Sequence, residues 1–167
     1  MSDPIAILRN NGIQNADIIV RAANKVQLTI YSAATLIQKE SMGRNVWGHD
    51  PVNTGGAYIK GGIVTPQNYW AYRRSPVAGW QGVGLTQLTY RGYIYQAEKL
   101  NPQLGAADPY TNCIVGFQAF LDLWRQANQN VQLAFQRYNG GYSNSSASIA
   151  YGKDAMQKRA IWMQRLK

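Results

Sequence analysis

A chain of 167 residues, 46% apolar and 15% charged, is long enough to bury a core of its own, and it lacks the low-hydropathy, high-charge balance of a disordered segment. One histidine and one cysteine exclude an intrachain disulfide and argue against a zinc site, and no apolar run is long enough to span a membrane. The net charge of +9 favours a polyanionic partner: nucleic acid, an anionic membrane or an anionic cell wall.

In chain order, Asp3-Pro4 predicts a helix start, with proline near the first helical position, and Asn11-Gly12 ends that piece. Residues 15–25 read as a second helix. Residues 30–40 form a clearer one: Ile30, Ala33, Ala34 and Ile37 share a face, Thr29 is placed to cap it, and Gly43 marks its end. Asn45, Gly48, Asn53, Gly55, Gly56, Gly61 and Gly62 then punctuate short stretches, which predicts a small β-hairpin lobe over about 44–65 with strands near 57–60 and 63–65. Pro66 opens a short helix through Arg74, and 75–85 read as a loop. Three further helices are predicted. One is capped by Thr89, carries Tyr93, Ile94, Ala97 and Leu100 on one face, and stops at Asn101-Pro102. One runs over 112–127, and one over 130–138 until Asn139-Gly140-Gly141 breaks it. A serine-rich loop, Ser143 to Ser148, precedes a last basic helix from about 153 to 167. Cys113 lies in an apolar run and reads as core.

The charge is uneven. Residues 1–60 carry a net +2 and residues 61–167 a net +7, and the final helix holds Lys153, Lys158, Arg159, Arg165 and Lys167 against Asp154 alone. That helix reads either as a solvated basic face or as an attractor of polyanions. Tyrosine and tryptophan together number 16, which suits a sugar-binding face and equally a core.

Glu40 breaks a local rule. It continues the apolar face of Ile30, Ala33, Ala34 and Ile37, and it sits at a helix C-terminus, where the macrodipole is negative. Both settings disfavour the charged carboxylate. A general acid that must keep its proton near neutrality needs that. Lys39-Glu40 also reads as two exposed residues at a fraying helix end, and Glu40 by itself leaves both readings open.

The surrounding pattern is more specific. Leu36-Ile37-Gln38-Lys39-Glu40-Ser41-Met42-Gly43 is followed by Asn45-Val46-Trp47-Gly48-His49-Asp50, then by Gly84-Leu85-Thr86-Gln87-Leu88, then by Ala134-Phe135-Gln136-Arg137-Tyr138-Asn139-Gly140-Gly141. In this order the stretches resemble the lysozyme-like superfamily of goose-type lysozymes, soluble lytic transglycosylases and phage endolysins, the endolysin domain in particular. That superfamily shows Glu-Ser at a helix end, a Gly-Leu-Met-Gln-like turn and an Ala-Tyr-Asn-Gly-like turn. The resemblance spans roughly residues 15–145. Thr86 stands where the family often has Met, and only the Tyr-Asn-Gly core of the last motif is kept.

The resemblance implies a mainly α (α+β), two-lobed fold over 1–167, with a substrate cleft between a helical lobe and the β-hairpin lobe. It implies an endolysin-type hydrolase cleaving the β-1,4 bond between N-acetylmuramic acid and N-acetylglucosamine, with Glu40 as general acid. Ser41 would shape the site. Thr86 and Gln87 would lie along the sugar cleft. Tyr138 would stand close to the acid, and Asn139 would contact sugar amides. Asp50 matches a second carboxylate that some relatives place on the hairpin. An inverting hydrolase needs such a base, roughly 6.5–9.5 Å from the acid. His49 or Thr54 would assist it, yet Asp50-Pro51 is also an ordinary turn opening. His49, the only histidine, can titrate near neutrality and is a candidate substrate contact. Trp47 and Tyr58 are weaker cleft candidates.

The same Glu-Ser pattern serves lytic transglycosylases, in which one acid suffices and the sugar's own 6-hydroxyl closes an anhydro ring. A wall-binding module with a decayed site is a third reading, since a fold alone does not establish activity. A nucleic-acid-binding domain is a fourth, but no signature of one accompanies the charge. Bacterial peptidoglycan is the expected partner, with anionic wall polymers drawn to the basic C-terminal half, so activity should fall with salt. No cofactor or metal is implied, and a monomer is expected. Met1-Ser2-Asp3-Pro4 lacks the basic and apolar regions of a signal peptide. An endolysin held in the host cytoplasm before release to the wall would fit.

Overall fold

The computed structural model describes residues 3–48, 61–74 and 81–167. The described residues are mainly α. They form α1 (Pro4–Asn10), α2 (Ala16–Val26), α3 (Ile30–Glu40), α4 (Pro66–Arg74), α5 (Arg91–Leu100), α6 (Pro109–Gln126), α7 (Val131–Gly140) and α8 (Ser146–Arg165), with a short 3-10 turn at Gly105–Ala107. None of these helices is long and apolar enough to cross a membrane.

Side-chain caps set the starts of α1, α6, α7 and α8. Asp3 accepts from the amide of Ile5, Asp108 from Thr111, Asn130 from Leu133 and Ser145 from Ser148, each satisfying an amide the helix itself leaves open. Proline follows Asp3 and Asp108, where its missing N–H costs nothing. Thr29 holds the N-cap position of α3 as expected, but its hydroxyl meets no backbone amide and donates to Ser32 Oγ at 2.9 Å.

Helix α3 is the axis of the larger core. Six consecutive residues, Ser32 to Ile37, are buried, so the helix is enclosed on all sides in that stretch. Alanine and serine keep it thin enough for neighbours to close in. It packs on α2 and α8, while α6 packs on α2 and α7. Leu8, Ile19, Ile37, Cys113, Phe117, Phe120, Phe135 and Trp162 fill the space between them. A second cluster joins Trp47, Val64, Tyr69, Tyr72, Val83, Leu88, Ile94 and Ala97, with Val115 supplied by α6. Glu98 ties α4 to α5 there, accepting from Arg73 Nε at 2.5 Å and from the Tyr69 hydroxyl at 2.7 Å.

The structure departs from the sequence reading in several places. No β-sheet forms among the described residues; there are three isolated antiparallel bridges, Val46 with Ile63, Trp47 with Val83, and Val83 with Leu88. Residues 45–48 are nonetheless flanked on both sides. Trp47 N donates to Gly62 O at 2.8 Å, and Gly48 N donates to Gly82 O at 2.7 Å. Most of the predicted hairpin, 49–60, lies outside the described residues, as does 75–80 of the predicted loop. Helix α5 is capped at Tyr90, not Thr89, whose hydroxyl donates instead to Gln87 O at 3.2 Å. Leu100, expected on its inner face, is 62% exposed. Helix α6 begins at Pro109, earlier than 112, because Asp108 caps it.

Helix α7 does not break at Asn139. It runs through Gly140 and ends on Gly141, whose φ of +61° only glycine adopts easily. Helix α8 begins at Ser146 rather than about 153, because the predicted serine loop contains its cap. Gly152 lets α8 close on α7; a Cβ there would lie 2.8 Å from Gln132 O.

Candidate active site

Glu40 is the last residue of α3 and is half-buried. The chain turns sharply after it, with Met42 at φ 58° and Gly43 at φ 77°. Gly43 is required here, since a Cβ would stand 2.0 Å from Gln14 O. Gln14 N donates to Met42 O at 2.9 Å and Asn15 Nδ2 to Gly43 O at 2.8 Å, so the α1–α2 connection pins the end of α3.

Ser41 joins this helix end to the Gly84–Leu88 turn. Its hydroxyl donates to Leu85 O at 2.7 Å and accepts from Gly43 N at 3.1 Å. The turn closes on itself through Val83 and Leu88, which exchange both backbone bonds at 3.0 and 3.1 Å. Gln87 adopts φ 52° and donates from Nε2 to Val46 O at 3.0 Å and Gly84 O at 2.8 Å. The carboxamide thereby fastens the turn to the 45–48 segment.

From the other side, α7 brings Tyr138 and Asn139. The Tyr138 hydroxyl donates to Thr86 O at 2.7 Å. Burial, and then the charge of Glu40, hold this phenol well above its usual range, so it stays a neutral donor. Asn139 is exposed at the rim. Glu40, Arg44, Trp47, Gln87, Tyr138 and Asn139 all border one cavity of about 480 Å³. A larger one of about 1020 Å³ adjoins it across Gln87, Thr89, Tyr138 and Asn139, and Tyr90, Tyr93, Tyr142, Arg91 and Arg137 border its far part.

The predicted site residues thus divide. Glu40, Gln87, Tyr138 and Asn139 are brought together. Ser41, expected to shape the site, is 4% exposed and does hold its framework; Thr86, expected along the sugar cleft, is 0% exposed and belongs to that framework as well. Trp47 is fully buried, its ring edge-on to Tyr72 and its Nε1 donating to Asn68 at 3.3 Å. His49, Asp50, Thr54 and Tyr58 lie outside the described residues. Among the described residues no group of three or more His, Cys, Asp or Glu side chains could hold a metal ion.

Two further residues belong to the site. Tyr151 on α8 donates its hydroxyl to Glu40 Oε1. Asn112 on α6 binds the Gly84–Leu88 turn with both ends of its carboxamide. Tyr151 was hidden by the late start given to α8. Ser145 is a residue type that caps helices, and a start there makes 151 a helical position beside buried Ser148 and Gly152.

An ion-pair chain backs this arrangement. Lys39 Nζ lies 2.6 Å from Asp154 and 4.0 Å from the Tyr151 ring centre, and Lys158 lies 2.9 Å from Asp154. The two lysines hold the Asp154 carboxyl below its usual range, Lys39 most of all. A carboxyl depressed on folding adds stability above its unfolded pKa and loses it as pH falls through the lower folded value. Asp154→Asn should therefore cost at most about 1 kcal/mol at pH 7, because the pair is partly solvated. The cost should shrink below about pH 4, near the unfolded aspartate value. Urea denaturation of both proteins across pH 2.5–7 checks this; a difference that stays constant would contradict it.

No family model, no curated protein and no solved structure matches the chain.

Proposed function

We propose that this chain is a peptidoglycan-cleaving enzyme of the lysozyme-like, endolysin type, with Glu40 as the general acid on the β-1,4 bond between N-acetylmuramic acid and N-acetylglucosamine. One observation carries the reading. Glu40, Gln87 and the Tyr138-Asn139 pair come from three stretches far apart in sequence, and they border a single cavity. A half-buried carboxyl beside a neutral phenol and an exposed carboxamide suits protonation of a leaving oxygen with an amide-bearing sugar alongside. The two hydrophobic clusters, joined through α6, support the two-lobed arrangement of that family. Its β-hairpin lobe would occupy 44–65, where the described ends already pair. The positive charge of the C-terminal half would draw the enzyme to anionic wall polymers.

Mass spectrometry of the fragments released from purified peptidoglycan tests the proposal. Reducing-end muropeptides are expected from a hydrolase, with Asp50 as the candidate to activate water. Fragments lighter by one water, with an anhydro end, would replace the hydrolase by a lytic transglycosylase using the same Glu40. Folded protein that releases no glycan fragments from the walls of several bacteria would overturn the enzyme and leave a wall-binding module.

A further inference from the structure

We propose that Tyr151 is a positioning residue for Glu40: from α8, its hydroxyl fixes which carboxyl oxygen carries the acidic proton and steadies the carboxylate left when that proton departs. The inference rests on the reading of Glu40 as the general acid. It also gives α8 a part in the site beyond its basic outer surface.

The geometry is specific. The Tyr151 O–H donates to Oε1, so Oε1 is an acceptor and the proton of the neutral acid belongs on Oε2. Tyr151 is held as a donor. Burial first, then the neighbouring Glu40 charge, keep its phenol far above the range in which it would ionise. Its ring is fixed as well: Lys39 Nζ stands 4.0 Å from the ring centre, and Asp154 holds Lys39 at 2.6 Å. The charged and titratable groups near Glu40 include Arg44 on the following loop and Tyr138 on α7. On the α8 side they include Tyr151 and the chain of Lys39, Asp154 and Lys158.

The chemical consequence follows from charge. As the glycosidic bond breaks, its electron pair goes to the leaving oxygen, and that oxygen takes the proton from Oε2. Glu40 becomes a carboxylate, and the bond from Tyr151 turns charge-assisted and stronger. An interaction that strengthens along the reaction lowers the barrier rather than merely binding the ground state.

The chain has two glutamates, Glu40 and Glu98, so a protein labelled with ¹³C at the glutamate carboxyls gives two signals, assigned by Glu40→Gln. Tyr151→Phe removes only the hydroxyl. The Glu40 signal is expected to titrate about one pH unit higher in the variant than in the wild type. On peptidoglycan, kcat should fall about tenfold with KM nearly unchanged. A second variant, 3-fluorotyrosine at position 151, keeps the shape, is a stronger donor and should move the Glu40 midpoint down. A Glu40 midpoint that ignores both changes in folded protein overturns the proposal. The titration needs no substrate, so it decides the coupling even if wild-type protein cleaves no glycan.

Discussion

Glu40→Gln is expected to slow glycan cleavage by roughly 10²–10⁴-fold, the range supplied by a positioned general acid, with the fold unchanged. The substitution keeps the size and planarity of the side chain. Its carbonyl can still accept from Tyr151, whose hydroxyl contacts Oε1 in the wild type. What it loses is an acidic proton. A primary amide does not protonate a departing sugar oxygen, so the barrier rises while the rest of the proposed site is left in place. In kinetic terms kcat and kcat/KM should fall together. The thermal midpoint should stay within a few degrees, because a half-buried helix-end carboxyl adds little to stability. Release of labelled fragments from peptidoglycan, measured beside a melting curve, checks both halves. Full activity in a folded Glu40→Gln protein would move the acid elsewhere, and Asp50 would be the next residue to change.

The sequence was most legible where local chemistry acts alone. Asp3-Pro4 and the Pro66 start are short-range signals, and the structure follows both; the apolar spacing in α3 places the helix but not its burial on every side from Ser32 to Ile37. It was least legible where distant groups decide. Nothing near Thr86 announces that its hydroxyl faces Asn112, so it passed as a residue of the cleft wall. Leu100 sits at the spacing of an inner face, yet on α5 Ile94 and Ala97 are buried and Tyr93 half-buried against the same cluster, while Leu100 is exposed. The serine run before α8 has loop composition, but Ser145 spends its hydroxyl as a cap and Ser148 buries its own against Ser143 and Ser145. That one misplaced boundary concealed Tyr151. The Glu-Ser, Gly-Leu-Thr-Gln and Tyr-Asn stretches were visible because each is contiguous. Their convergence is a property of the fold.

Asn112→Ala should be among the most destabilising single changes in the chain, costing about 3–5 kcal/mol. Asn112 is fully buried in the first turns of α6. Its Oδ1 accepts from Thr86 N at 2.9 Å and from Thr86 Oγ1 at 2.8 Å. Its Nδ2 donates to Val83 O at 2.8 Å and to Ala106 O at 3.1 Å. Both donors and the oxygen are thus in use, and each partner lies where water cannot replace the bond. Alanine would strand the Thr86 amide and the Ala106 carbonyl; the Val83 carbonyl keeps Leu88 N at 3.0 Å, and the Thr86 hydroxyl keeps a second acceptor, Asn112 O at 3.2 Å. The surroundings are built to this side chain. A Cβ on Gly84 would fall 2.4 Å from Nδ2, and one on Gly116 would fall 2.2 Å from Thr86 Oγ1. Asn112→Asp offers no escape, because it turns a donor into a carboxylate facing two carbonyl oxygens. A loss of this size lowers the melting temperature by roughly 6–20 °C in a chain of this length. The site should suffer before the fold does. Thr86 also receives the Tyr138 hydroxyl, and Ser41 holds the adjoining Leu85, so a loosened turn shifts Gln87, Tyr138 and the end of α3 together. At a temperature where Asn112→Ala is still folded, KM should rise and kcat fall. A variant that melts like the wild type would show that the turn is held by Ser41 and by its own backbone bonds, with Asn112 a bystander.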